Sequence, residues 1–384
     1  MSENFPNGWS YKKLNEILKM SKGKNPSNLF TENQAGYMPY VDIKAFEKGI
    51  VINYTDDEKC LFCNDGDILI VCDGSRSGLV GRAIKGAVGS TLAKISVDGV
   101  KNDFLYYFLL GKYQKLNTNV KGTGTPHVNP QLLKSFDFPI ISVPEQERIV
   151  AKIEELFSEL DKGVENLQTI KKQLKVYRQA VLKDAFAKSE KYEPLCNLAE
   201  MCLGKMLDVS KNKGEAHNYL RNINVRWFKF DLSNLLQMRF EEHETERYSI
   251  VKGDLIICEG GEPGRCAVWQ SDEPLRIQKA LHRIRVKEKL NATFLMYYFW
   301  FISQTGSIDK YFTGTTIKHL TGQSLKKIEV PILPVDEQDR IVIEIESRLS
   351  VCDKIEQTVD ETQQKAESLR QSILKKAFEG KLVV

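Results

Sequence analysis

The residues best suited to binding chemistry lie in six loops that combine glycine and a base, five of them with a hydroxyl or amide as well. Three fall early, "KMSKGKNPSN" (19–28), "DGSRSGLVGR" (73–82) and "VKGTGTPHVN" (120–129), and three late, "LGKMLDVSKNK" (203–213), "EGGEPGRC" (259–266) and "FTGTTIKHL" (312–320). Glycine lets a backbone approach closely, hydroxyls and backbone N–H groups bind phosphate oxygens, and Lys or Arg reach guanine edges. The chemistry implied is nucleic-acid contact. Candidate contacts are Lys22, Lys24, Arg76, Ser77, Lys121, Thr123 and His127 in the early set, and Lys205, Arg265, Thr315, Lys318 and His319 in the late one. Any one such loop reads more readily as a solvated turn; their repetition gives them weight.

Other chemistries lack their residues. Cys60 and Cys63 form a C-x-x-C, but no second pair completes a four-thiolate zinc site. The remaining six cysteines are scattered, several in apolar runs such as "LIVC" and "LIIC", and read as small buried hydrophobes. The five histidines have no ligand spacing, so no metal is expected. No G-x-x-x-x-G-K-[ST] loop is present, and no Asn-Pro-Pro or Asp-Pro-Pro followed by an aromatic, as adenine methyl transfer would need. "DGSRSG" lacks G-x-G-x-x-G spacing. The chain is expected to bind no cofactor and to catalyse nothing itself. A formal charge of +4 with 28% charged residues permits a nucleic-acid partner without demanding one. "MSENFPNGWS" does not read as a signal peptide, and "FLMYYFWFI" (294–302) is far short of the roughly 20 residues of a membrane helix. A cytoplasmic location, away from membranes, is expected.

The elements that position these loops are written twice. "VPEQERIV" (143–150) returns as "VDEQDRIV" (335–342), and "YRQAVLKDAF" (177–186) as "LRQSILKKAF" (369–378), both at an offset of 192 residues. "KGTGTPHV" meets "TGTTIKHL" at the same offset, and "NDGDILIVCDG" answers "VKGDLIICEGG" further back. The unit comprises a variable head and a constant tail. The boundaries expected are a first head at 1–144, a first long helix at 145–190, a second head at 191–335, and a second helix with the C-terminal tail at 336–384.

Each head mixes strand-like runs ("DILIVC", "DLIICE", "FDFPI", "IEVPI") with amphipathic, aromatic-rich helical ones, which predicts an α+β fold in which those aromatics pack the core. The tails carry apolar residues at three- and four-residue steps, the stripe of a coiled coil. Ile149, Ile153, Leu160 and Leu174 are expected on its seam, with Ile341, Ile345, Leu349 and Leu369 from the second copy, and Tyr177 continuing the first stripe. Residues 145–161 carry six acids against two bases, whereas 171–188 carry six bases against one acid, and the second tail has the same polarity. Side by side, such helices attract only when antiparallel, so two similar heads related by an approximate twofold axis are expected. The heads also hold the basic excess, with 17 bases against 14 acids in 1–144 and 21 against 17 in 191–335.

Two variable heads, each followed by a helix opening with "PEQERIV" or "DEQDRIV" and closing near "RQAVLKDAF" or "RQSILKKAFEGKLV", resemble the specificity subunit of a Type I restriction–modification enzyme over the whole chain. The resemblance implies two target recognition domains, each reading one half of a split site on double-stranded DNA. The paired helices would be a ruler and a docking surface for two methyltransferase subunits, joined by endonuclease/translocase subunits. S-adenosylmethionine, ATP and Mg would belong to those partners. A coiled-coil scaffold that binds proteins through both heads, with no DNA specificity, is the alternative reading, and it predicts no salt-dependent DNA affinity.

Overall fold

The computed structural model describes residues 8–122, 124–187 and 189–382. The chain divides into two units, Met1–Leu167 with Glu361–Val384, and Gln168–Asp360. Each therefore contains a head and one half of each long helix. No described helix is long and apolar enough to cross a membrane.

In the first unit an antiparallel sheet runs in the spatial order Leu18–Lys22, Leu92–Val97, Ile68–Val71, Val80–Arg82. A second sheet runs Tyr54–Thr55, Met38–Val41, Gly86–Val88, Phe62–Cys63, its middle pair parallel. The strand Ile68–Val71 shows why an uninterrupted apolar run suits this position. All four side chains are buried, and they alternate between two cores. Ile68 and Ile70 pack with Phe104 and Phe108 of the helix Asn102–Leu110, while Leu69 and Val71 pack with Val41 and Val88 of the other sheet. Ser10–Lys13 pairs with Asp137–Ile140 and so closes the head where the long helix begins.

The second unit repeats this topology. One sheet runs Ala199–Leu203, Leu281–Val286, Leu255–Cys258, Cys266–Val268; the other runs Leu236–Phe240, Glu215–Leu220, Leu275–Ile277, Ser249–Ile250, again with a parallel middle pair. Leu255 and Ile257 face the aromatic helix Ala292–Gln304, and Ile256 and Cys258 face the other core. The aromatics of both head helices are core: Phe104 and Phe108, and Phe294 and Phe299, are all but inaccessible. Six cysteines are buried; Cys196 is exposed and Cys202 half-buried, at the edge of the head, and all eight are free thiols.

The long helices are Val143–Phe186 and Val335–Phe378, 44 residues each, or about 66 Å at 1.5 Å per residue. Within each unit their halves run antiparallel. In the first, Ile149 and Ile153 share a core with Ile373, Leu374, Ala377 and Phe378, and Asp161 meets Arg370. In the second, Lys171 pairs with Asp360 and Arg178 with Asp353 at 2.6 Å and Glu356 at 2.9 Å, while Val181, Leu182 and Phe186 share a core with Ile341, Val342 and Ile345. The acid-to-base gradient along each helix thus finds its opposite inside each unit. Leu174 is buried, and Leu160 and Leu349 are half-buried against the seam.

Leu369 departs from the expected seam, being 48% exposed, and so does its equivalent Tyr177, at 46%. The stripe steps four residues and then three at this point, which puts Arg370 and Arg178 in the groove instead. Both guanidiniums reach an acid of the facing helix, at the equivalent positions Asp161 and Asp353, and Arg370 also lies 4.9 Å over the Phe157 ring. An arginine stem covers apolar surface while its head stays polar, so it serves a seam position as well as leucine does.

Candidate nucleic-acid interface

Each head presents one hairpin built on its glycine-threonine motif. In the first unit the Lys121 N–H donates to the His127 carbonyl at 2.9 Å, and the His127 N–H to Lys121 at 2.8 Å. In the second, Thr313 and His319 exchange the same two bonds at 2.9 Å each. Gly122 and Gly314 follow the first residue of each pair at φ of 95° and 89°, and a Cβ there would run into the carbonyl of Thr125 or Ile317. Only glycine fits this bend. The two hairpins share this bridge and glycine bend but not their sequences, "GTGTP" against "GTTIK".

Around the first hairpin the Asp73 carboxylate lies between two bases. Lys22 Nζ donates to its Oδ2 at 2.7 Å, and His127 Nδ1 lies 2.6 Å from its Oδ1. Burial works to raise the Asp73 pKa, but the hydrogen bonds from Lys22 and His127 outweigh it and hold the carboxyl below its usual range. The same bond raises Lys22 above its ordinary value. Arg76 is exposed and pairs with Glu47 at 2.5 Å, Lys121 bonds the Gln131 side chain, and Lys24 is exposed. Thr123 lies outside the described residues. Ser77 is not a surface residue: it is fully buried, with its hydroxyl 2.7 Å from the Gly74 carbonyl and 3.0 Å from that of Pro126. It fastens the 73–78 turn to the hairpin and cannot touch DNA.

In the second unit Thr315, Lys318 and His319 lie on the exposed hairpin, with Lys318 held by Asp309 at 2.9 Å. Lys205, expected to contact DNA, is buried, and Arg265, expected there too, is half-buried. Lys205 is 7% exposed, donates to the Arg239 carbonyl at 3.0 Å, pairs with Glu244 and lies 5.0 Å over the Phe240 ring. Arg265 bonds Glu262 at 2.7 Å and the Asn222 carbonyl at 3.1 Å, with 15% of its side chain accessible. Lys24 and Lys205 occupy the same place in the G-K motif with opposite outcomes, because in the second unit an acid waits inside.

A pair of glutamines escaped the sequence reading although they stand in its most repeated motif. Gln146 and Gln338, in the first turn of each long helix, are buried, at 1% and 0% exposure. Gln146 donates to Gly99 and Ile141 carbonyls at 3.2 and 3.0 Å and accepts from the Lys101 N–H at 2.8 Å. Gln338 donates to Lys289 and Leu333 at 2.9 and 2.8 Å and accepts from the Asn291 N–H at 2.8 Å. Each one clamps the start of the head's aromatic helix to the long helix. The signal is an uncharged polar residue kept in both copies of a motif whose other polar positions are acidic or basic.

Two similar heads with matched hairpins, each tied to a constant helix, is an architecture already known. A family model described as the Type I restriction modification DNA specificity domain matches residues 6–175 and again 197–363. The chain belongs to this family. Among characterised relatives of this specificity subunit, the Type I restriction enzyme MjaVIII specificity subunit of Methanocaldococcus jannaschii is 24% identical over 99% of this chain and 94% of its own length. The EcoBI specificity subunit of Escherichia coli is 21% identical, over 97% and 86%. Among solved structures, a chain from a study of complex assembly and conformational transition of the type I R-M system matches with a TM-score of 0.78 at 20% identity, covering 98% of this chain and 99% of that one. The HsdS subunit from Thermoanaerobacter tengcongensis matches at 0.63 and 20%, covering 99% and 100%. The specificity subunit is a DNA-recognition protein and not itself catalytic. A scaffold without DNA specificity is not favoured.

Proposed function

We propose that each unit reads one half of a split, asymmetric DNA site, and that the two long helices set the unread gap and receive the partner subunits. The observation that carries this is the pairing of like frames with different surfaces: one topology and one hairpin bridge occur twice, bearing unlike exposed side chains. Like frames would dock on a duplex alike, and unlike side chains would select different bases. Lys22, Lys24, Arg76, Lys121 and His127 serve the first half-site, and Thr315, Lys318 and His319 the second. The exposed apolar residues at equivalent places on the helices, Tyr177 in the second unit and Leu369 in the first, support docking of two methyltransferase subunits, with endonuclease/translocase subunits joining them. Those partners bring S-adenosylmethionine, ATP and Mg, and the assembly works in the cytoplasm.

Co-expression with a cognate methyltransferase subunit, followed by genome-wide mapping of methylated adenines, tests this. A single motif of two different halves around a gap of constant length is expected. A contiguous motif, or two identical halves, overturns the proposal. Inserting whole helical turns into both long helices is expected to widen the gap and leave both halves unchanged.

A further inference from the structure

One turn occupies the same place in both units and carries different side chains. Gly89, Ser90 and Thr91 join the strand Gly86–Val88 to Leu92–Val97; Gln278, Lys279 and Ala280 join Leu275–Ile277 to Leu281–Val286. The backbones are hydrogen-bonded alike, although Ala280 lies at positive φ and Thr91 does not. The N–H of Gly89 donates to Val41 at 2.9 Å and that of Gln278 to Leu220 at 3.1 Å. Leu92 and Leu281 donate back to Gly89 and Gln278 at 3.0 and 3.1 Å, and Gly23 and Gly204 donate to Leu92 and Leu281 at 2.9 Å each. A rigid frame with interchangeable side chains is what a reading position requires.

The second unit's turn has three further properties. Gln278, Lys279 and Ala280 line one cleft together with Glu259, Met206 and the hairpin residue His319. Ala280 sits at φ +83°, a left-handed backbone that an alanine rarely adopts, and is pinned there by the Glu259 N–H on its carbonyl at 2.9 Å. Lys279 is held through its own N–H on the Lys205 carbonyl at 2.8 Å. Lastly, Lys279 is exposed and Gln278 half-buried, and among the described residues neither side chain has a hydrogen-bond or ion-pair partner. Most other bases near this surface are already committed: Lys205 to Glu244, Arg265 to Glu262 and Lys318 to Asp309.

We propose that Gln278 and Lys279 read base edges in the half-site met by the second unit, and that Ser90 and Thr91 hold the equivalent position in the first. This rests on the split-site reading above and names the residues that carry its specificity. A glutamine amide offers a donor and an acceptor side by side, the complement of adenine N6 and N7, and a lysine ammonium donates to guanine O6 and N7. Neighbouring purines are therefore expected where this turn meets the major groove. Serine and threonine hydroxyls accept or donate equally, so the matching position of the first half-site is read less strictly.

The test maps methylated adenines for the co-expressed complex carrying the native chain, Gln278→Ala, Gln278→Glu or Lys279→Ala. If the native complex does not return a split motif, the split-site reading fails whatever the variants do. Given that motif, each alanine variant is expected to relax one position of one half by about 5- to 150-fold, the range for losing a good base contact, with the other half and the gap unchanged. Gln278→Glu keeps the volume but loses the amide donor, and is expected to move preference at the same position toward cytosine, whose N4 donates. An unchanged motif in the variants, or an equal loss at every position with the thermal midpoint retained, overturns the proposal. An alanine variant that fails to fold passes the decision to Gln278→Glu.

Discussion

Replacing Gln338 by methionine tests whether the motif shared by the two long helices is a structural clamp. Methionine is close to glutamine in volume, so the change removes hydrogen bonds and leaves little cavity. Three bonds are lost together, from Nε2 to the Lys289 and Leu333 carbonyls and to Oε1 from the Asn291 N–H. Gln338 is fully buried, so water cannot readily replace them. Leaving a buried polar group unsatisfied costs about 1–3 kcal/mol. Partial relaxation of three such groups gives an expected loss of about 2–5 kcal/mol. Urea unfolding with an unchanged slope, read as a lower midpoint, measures it. Gln146→Met is expected to cost a similar amount, because its three partners occupy equivalent places. A loss below about 0.5 kcal/mol at both positions, the range of an ordinary surface change, would refute the reasoning.

Phe378→Ala is expected to cost about 3–5 kcal/mol and to raise hydrogen exchange around Phe104 and Phe108, whose rings lie 5.1 and 5.3 Å from its own; protection that stays at its native level there would count against it. Acid should weaken the second unit through His282. Burial holds this imidazole below its ordinary pKa, against the opposing pull of Glu259 and of its bond with Leu320. The unfolded chain takes up the proton below about pH 6.5 while the folded one resists, so its contribution is whole above that pH and falls below it, by at most about 1.4 kcal/mol per pH unit. The difference in urea midpoint between pH 7.5 and 5.5 is then expected to narrow in His282→Gln. Asp73→Asn frees Lys22 and His127 from their shared carboxylate. DNA binding measured against salt should steepen by about 0.9 in log–log slope if Lys22 then neutralises an additional phosphate, and an unchanged slope would place that cluster away from DNA.

The parts of this fold legible in the sequence are those that periodicity writes. Ile149, Ile153, Ile341 and Ile345 recur at helical spacing, and all are buried. The charge gradient points to antiparallel pairing because opposite charges must meet along a long contact, and Lys171–Asp360 and Arg178–Asp353 are such meetings. What periodicity does not write is direction at a single residue. Period alone cannot distinguish a step of three then four from four then three, so it assigns Leu369 and Tyr177 the places that Arg370 and Arg178 hold. Composition alone cannot tell an outward base from an inward one, and the partners that draw Lys205 inward are distant in sequence, Glu244 lying 39 residues away. Ser77 misleads in the same way, since a hydroxyl in a glycine turn suits a phosphate and a carbonyl equally. Strands of two residues, such as Phe62–Cys63, leave no pattern to read.

The first unit takes Ile373, Leu374, Ala377 and Phe378 into its core. A nascent chain leaving the ribosome therefore carries a first head that is complete in residues yet open on one side until the far end of the second long helix has been made. The second head, whose unit is a continuous stretch, has everything it needs earlier. Order of synthesis and order of completion are reversed, and a stop codon ahead of Ile373 strikes the domain made first.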